Sequence, residues 1–365
     1  MIAKRGKSEA GSVGERPVPI AEPVGVVVVN YRTPELTGKC LAALSRERTA
    51  FRSLQAVVVD GGSDDGSADE LADWIEKRGA ADWIELLPMR VNGGFGWANN
   101  QGIQRLMRRP EPPVYVHLLN PDTEVEAGAV SLLAQYLNNH TNAAAVGSQL
   151  LNLDGSLASS AFNFPSIRGE FARGAGTQAL ERLLKIRPIS IEAEEAMEVD
   201  WVTGGSVMLR VQALREVGLF DEGFFLYNEE VELMWRLRKA GWRIATEPRS
   251  RVRHVGGGAT GVTDRETAGS VAPRRPDYLF RSRARYFGLT RGRVGAGAAF
   301  AAWIAGHAVW RLRRLLRVPI GKPVERELRD HVFTSFPRRH DFEAAVARLD
   351  DQPTSTPAWM ERRWR

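Results

Sequence analysis

Cysteine is almost absent from this chain: Cys40 is the only one in 365 residues. An internal disulfide framework and a cysteine-built metal site are thereby excluded, which suits a reducing cytoplasm, and Cys40 itself reads as core packing. Long hydrophobic runs are scarce too. Residues 1–22 carry charges and prolines but no apolar core of signal-peptide length, so they read as a disordered leader. Val294 to Trp310 is rich in Ala and Gly, yet its 17 residues fall short of the roughly 20 that span a bilayer. Flanked by arginines, it reads first as an interfacial amphipathic helix and second as a helix packed on protein. Glycine is missing where a dinucleotide fingerprint would stand, because Asn30-Tyr31-Arg32-Thr33-Pro34 follows the first apolar run. A basic glycine-rich triphosphate loop is missing there as well, which argues against a nucleotidyltransferase.

What is present is ordinary globular composition, 43% hydrophobic and 26% charged, with a net charge of +6. The basic residues gather late, from Arg274 to Arg293 and again from Arg311 to Arg317. An anionic partner is expected at that end, and the apolar stretch beside it favours a lipid surface over nucleic acid.

Val24–Asn30 and Leu54–Asp60 are continuous apolar runs that end on a polar residue, the pattern of parallel strands buried on both faces. Helical stretches follow each, at 34–44 and 67–78, and strands are expected at 84–87 and 114–119. This βαβ alternation predicts an α/β fold with a mostly parallel central sheet and flanking helices. Further on, 178–185 reads as a helix, 201–210 as a strand, 211–217 and 228–240 as helices, 243–246 as a short strand and 352–357 as a flexible tail. Ligands of such sheets sit beyond the carboxyl ends of strands, where Asn30, Asp60 and Asp122 all fall. Any one of them alone is most simply a turn or cap residue, but three together are not.

Three segments add to that. Asn92-Gly-Gly-Phe-Gly-Trp-Ala-Asn-Asn100 combines glycines that permit close backbone approach with amides that can read a base edge. Asp122 offers a hard oxygen ligand for a divalent cation at a diphosphate, and His254 an imidazole if the metal is manganese. Glu229-Glu230-Val231-Glu232 sets carboxylates at a helix start, where one can serve as a general base.

Taken in chain order, these motifs resemble the inverting family-2 glycosyltransferases, and most closely their rhamnosyltransferase-like bacterial branch. The match runs from about Val24 to Gly258. It implies a GT-A fold at 23–260 with an acceptor-side insertion at 155–200, a basic lid or linker at 261–290, and a helical extension and tail at 291–365. It also implies a nucleotide-diphospho-sugar donor, a divalent metal (Mn2+ or Mg2+) and a saccharide or lipid-linked saccharide acceptor at the cytoplasmic face of the inner membrane, with no nucleic acid. Carried over, Asn30, Tyr31, Asp60, Asn92, Gly94, Asn100 and Asn120 are donor contacts, Asp122 and His254 metal ligands, and Glu230 the base. Trp201, Gly204, Gly205, Glu229, Glu232 and Arg236 would line the acceptor side. The chain departs from the family pattern at Gly61, where Asn is usual, and at Glu230 and Glu232, where Asp is usual. The Glu-for-Asp changes keep a catalytically silent scaffold as the alternative reading.

Overall fold

The computed structural model describes residues 22–51, 53–177, 182, 185–255, 272–318 and 322–362. The expected leader, most of the helix expected at 178–185, and 256–271 of the expected lid lie outside them. In chain order the first half holds β1 (Val24–Asn30), α1 (Pro34–Ala50), β2 (Leu54–Asp60), α2 (Ser67–Lys77), β3 (Ile84–Pro88) and α3 (Phe95–Met107). Then come β4 (Tyr115–Leu119), β5 (Thr123–Val125), α4 (Ala129–Asn139), β6 (Ala143–Leu151), β7 (Ala161–Phe162) and α5 (Ile167–Ala175). The second half holds β8 (Ser190–Ile191), β9 (Met197–Glu198), β10 (Trp201–Val202), β11 (Ser206–Arg210), α6 (Val211–Val217), α7 (Glu229–Lys239) and β12 (Arg243–His254). Helices α8 (Asp277–Leu315), α9 (Glu327–Thr334) and α10 (Ala358–Arg362) finish the order.

The main sheet runs β3-β2-β1-β4-β11-β6-β12-β5, with β9 beside β12. Strands β3, β2, β1 and β4 are parallel, while β11 enters antiparallel between β4 and β6. Every residue of β4 and β6 is buried, as the continuous apolar runs require of strands covered by helices on both faces. Register aligns the carboxyl ends: Asn30 lies opposite Asp60, and Asp60 opposite Pro88. That edge carries the candidate site. A separate small sheet, β10-β7-β8, grows from the segment expected as an insertion.

Two expectations are corrected beyond the main sheet. Residues 277–290 form the first half of α8 rather than a linker, and Arg285, Tyr286 and Phe287 are buried there. The stretch 294–310 packs on protein: Ala296, Ala299, Trp303, Gly306 and His307 are buried. A methyl group on Gly174 of α5 would overlap the Trp303 carbonyl, and one on Gly306 would overlap that of Phe171. The small residues let two helix backbones meet, which composition alone could not distinguish from an interfacial helix. Gly292, at φ 67°, breaks α8 into two segments.

One buried ion pair fastens this extension to the sheet domain. Arg285 Nη2 lies 2.6 Å from Asp221 Oδ1, with the two side chains 3% and 0% exposed. Asp221 also accepts from the amides of Gly223 at 2.8 Å and Ala345 at 2.7 Å. Asp221→Ala leaves a guanidinium buried without its counter-charge and is expected to cost ~3–5 kcal/mol. Urea denaturation checks this as a lowered midpoint at unchanged slope.

Candidate active site

The site is assembled from loops at the carboxyl edge of the sheet. Asn30 is fully buried and works inward: its Nδ2 donates to Asp60 Oδ1 at 2.7 Å, and its Oδ1 accepts from Thr37 Oγ1 at 2.9 Å. Asp60 accepts in turn from Ser63 Oγ at 2.6 Å and Ser63 N at 3.1 Å, which folds the acidic loop back onto β2. Tyr31 is half-buried at the surface of this loop, with the Arg32 guanidinium 5.2 Å from its ring centroid.

The glycine-rich segment meets the loop that precedes α7. Asn92 Oδ1 accepts from Gly94 N at 3.0 Å, forming a turn before α3. Gly94 has φ 88°, and a methyl group there would overlap the Phe225 carbonyl oxygen. That oxygen accepts from Phe95 N at 3.1 Å. Asn100, read as a donor contact, is fully buried and pairs with the backbone of Phe220 in both directions, at 3.0 Å each. It positions the loop 220–227.

At the end of β4, Asn120 N bonds to the Gly205 carbonyl at 3.0 Å, and Thr123 Oγ1 donates to the Asn120 carbonyl at 2.6 Å. Gly205 lies against the Asn120 amide, and Gly204 against the Phe95 ring. Contacts therefore run without a break from the Asp122 loop through 204–205 and Phe95 to Phe225, five residues before Glu230. Asp122, 5% exposed, has its Oδ1 3.2 Å from His254 Nε2, because β5 and β12 pair antiparallel with Thr123 opposite His254.

This pair fits a divalent cation in part. Among the described residues no group of three or more His, Cys, Asp or Glu side chains is placed to hold a metal ion. A cation held by this carboxylate and imidazole would take diphosphate oxygens and waters at its other positions, and a nitrogen ligand would suit manganese.

Helix α7 begins after two consecutive residues in the left-handed region, Tyr227 at φ 69° and Asn228 at φ 66°. Such backbone costs of order 1–3 kcal/mol per residue and collects at functional sites. It aims Glu229 and Glu230 inward. Glu229 is 2% exposed, and Oε2 of each carboxyl is buried with no hydrogen-bond partner. Burial pushes Glu230 up to about 7 against the pull of helix-start amides. Burial and then the Glu230 charge hold Glu229 well above the usual carboxylate range. Both carboxyls are thus shifted toward the protonated form, and Glu230 exchanges its proton near neutrality.

Other acceptor-side residues are placed differently. Glu232 accepts from Arg236 Nε at 2.8 Å, and the same guanidinium donates to the carbonyls of Val217 and Leu219 at 2.8 and 2.6 Å. These two brace the loop before 220. Trp201 stacks on Phe162 at 4.2 Å in the small sheet. Sequence reasoning missed the tail: Trp359 Nε1 donates to the Gly93 carbonyl at 2.8 Å, and Thr354 Oγ1 donates to Glu222 and accepts from Trp97 Nε1 at 2.7 Å. The stretch read as flexible thus straps the glycine-rich loop.

A family model described as "Glycosyltransferase like family 2" matches residues 21–285. An N-acetylglucosaminyl-diphospho-decaprenol L-rhamnosyltransferase of Mycobacterium tuberculosis is 30% identical over 268 residues, covering 70% of this chain and 82% of the relative. The rhamnosyltransferase WbbL of Escherichia coli is 26% identical over 167 residues, 44% of this chain and 60% of the relative. Among solved structures, GalNAc-T7 with UDP, GalNAc and Mn2+ superposes with a TM-score of 0.51 at 15% identity, over 73% of this chain and 48% of that one. That likeness bears on the fold alone, and the fold agrees with a mostly parallel sheet whose ligand edge carries the Asp122 loop. The chain belongs to glycosyltransferase family 2 and has its GT-A fold.

Proposed function

We propose that the chain transfers a sugar with inversion from a nucleotide-diphospho-sugar to a saccharide carried on a polyprenyl diphosphate, with L-rhamnose from a deoxythymidine-diphosphate donor as the leading case. The observation that carries it is the Glu229–Glu230 pair at a helix start, a buried and a half-buried glutamate whose Oε2 atoms are both buried and unpartnered, with Glu230 poised near neutrality. Glu230 takes the proton from the acceptor hydroxyl as that oxygen attacks the anomeric carbon. Glu229, raised by burial and by the Glu230 charge, can donate a hydrogen bond in its protonated form. Asn92 and Asp60 shape the loops that would seat the nucleotide, and Asp122 with His254 would hold the cation. When bound, a divalent cation neutralises charge on the departing diphosphate. The relatives' acceptors and donor support the choice of substrates.

Membrane association belongs to this proposal too. Leu312, Leu315 and Leu316 are 55, 79 and 65% exposed at the arginine-rich end of α8. That composition suits anionic headgroups on the cytoplasmic face. No helix among the described residues is long and apolar enough to cross a membrane.

A panel of nucleotide sugars with Mn2+ or Mg2+ tests the reading. Metal-dependent release of nucleoside diphosphate is expected from one donor above the others. Tight donor binding with no turnover on any donor or lipid-linked acceptor would establish a silent scaffold instead.

A further inference from the structure

A cavity of about 220 Å3 lies under the C-terminal extension, between α5, both halves of α8 and α9. Asn228, the residue that opens α7 ahead of Glu229 and Glu230, stands in its wall. One side is cationic. Glu170 accepts from Arg173 Nη2 at 2.7 Å and from Arg283, both cavity residues. Burial alone would raise the Glu170 carboxyl, but the two guanidiniums hold it down to about 2. One carboxylate against two guanidiniums leaves a positive charge unbalanced in a half-buried wall. Arg275, at the cavity edge, is paired with Glu327 at 3.1 Å.

The rest of the lining is largely apolar and aromatic, with Phe280, Phe287, Ala296, Ala299 and Phe300, and the Arg283 guanidinium lies 5.8 Å from the Phe287 ring centroid. His331 stands among these rings, 4% exposed, 5.1 Å from Phe300 and 3.9 Å from Trp303 between ring centroids. Its Nδ1 faces Ser335 Oγ at 3.1 Å, and its Nε2 is buried with no hydrogen-bond partner. A buried polar atom left unpaired costs ~1–3 kcal/mol, so it marks a place where a ligand atom completes the structure. Beyond the cavity, Phe336 meets Phe300 edge-on at 5.6 Å and is 62% exposed, with Phe333 70% exposed nearby.

These features select an amphiphilic anion. A free inorganic anion would leave the aromatic lining unused, and a neutral hydrocarbon would leave the charge and the imidazole unmet. The volume lies below the ~300 Å3 at which pockets take whole drug-sized ligands, so an end group fits and the remainder leaves along the exposed phenylalanines.

We infer that this cavity binds the phosphate end of a long-chain alkyl phosphate ester, the anchor of the acceptor, and so delivers the attached sugar past Asn228 to Glu230. The inference rests on the lipid-linked acceptor proposed above, and its test is independent of sugar transfer. The full chain, without donor or metal, is titrated by calorimetry with dodecyl phosphate below its micelle concentration, with inorganic phosphate and with neutral dodecyl maltoside. Saturable 1:1 binding of dodecyl phosphate is expected, at least tenfold tighter than inorganic phosphate, with none for the maltoside. Ala299→Phe, which fills the cavity, should weaken binding more than tenfold. Should that variant fail to melt cooperatively, Arg275→Gln, on a side chain 45% exposed, carries the test with a severalfold loss. Equal affinity in a folded variant, or maltoside binding as tight as the phosphate ester, overturns the assignment. Phosphatidylglycerol vesicles that displace dodecyl phosphate, and that themselves bind the variants more weakly, would make the occupant a membrane headgroup and overturn the acceptor role. A failed titration leaves donor turnover standing, and failed turnover with every donor leaves the titration standing.

Discussion

Glu230→Gln is expected to lower kcat by ~10^2–10^4, the usual contribution of a positioned general base, while the affinity for donor stays near that of the wild type. The substitution keeps the shape of the side chain and removes its ability to accept a proton, so an unchanged melting temperature accompanies the loss. The pH profile gives a second readout. A carboxyl raised to about 7 is protonated below that pH and cannot act as a base, so wild-type kcat should rise with pH and level off above about 7. In Glu230→Gln the same limb should disappear, leaving a flat and low profile. Because Glu229 beside it is raised as well, the limb belongs to the pair rather than to either carboxyl alone. Steady-state rates between pH 5 and 9 with saturating donor decide the matter. A retained acidic limb in Glu230→Gln would assign the base elsewhere.

The second large effect concerns Asp122. It would be the charged ligand of the proposed cation site, 3.2 Å from His254, so Asp122→Ala would leave a single imidazole there. Turnover is expected to fall by roughly 10^2–10^4, corresponding to several kcal/mol of lost charge stabilisation, and added Mn2+ should not restore it. Chelation of wild-type enzyme should produce a comparable loss that Mn2+ reverses. His254→Ala should cost less, because a diphosphate oxygen or water can occupy the vacated position. Titration of Mn2+ in the presence of nucleoside diphosphate separates the variants directly. Wild-type-like Mn2+ dependence in Asp122→Ala would place the cation on other residues.

The sequence made the parallel half of the sheet legible because local chemistry dictates it. The valine-rich runs of β1 and β2 can only be strands buried on both faces, and their observed bounds, Val24–Asn30 and Leu54–Asp60, coincide with the runs. Strand β12 was read as Arg243 to Thr246 but extends to His254. Its second half is rich in charged residues, and it is held between β6, in a shifted register, and β5. Of the site, the polar residues at strand ends were visible individually. Their division of labour was not. Asn30 and Asn100 are consumed within the protein, which depends on partners 30 and 120 residues away. The left-handed backbone at Tyr227 and Asn228 has no compositional mark, since neither is glycine. Arg285 looked like one member of a basic block until its partner 64 residues earlier made it a buried fastener. The tail, rich in Pro, Ser and Thr, has the composition of a linker, yet the Thr354 hydroxyl accepts from the Trp97 indole on α3 and the Thr354 carbonyl from the Gln101 amide.

That strap has a temporal consequence. Trp97 and Gln101 on α3 reach partners that are 257 and 253 positions later in the chain, and the Gly93 carbonyl waits 266 positions for Trp359. At ~5–20 residues per second of synthesis, the interval is roughly 10–50 s. For that time the nascent sheet can pair its strands while the glycine-rich loop stays unclamped. Donor affinity, which the proposed function assigns to this loop, should therefore be acquired late in biogenesis.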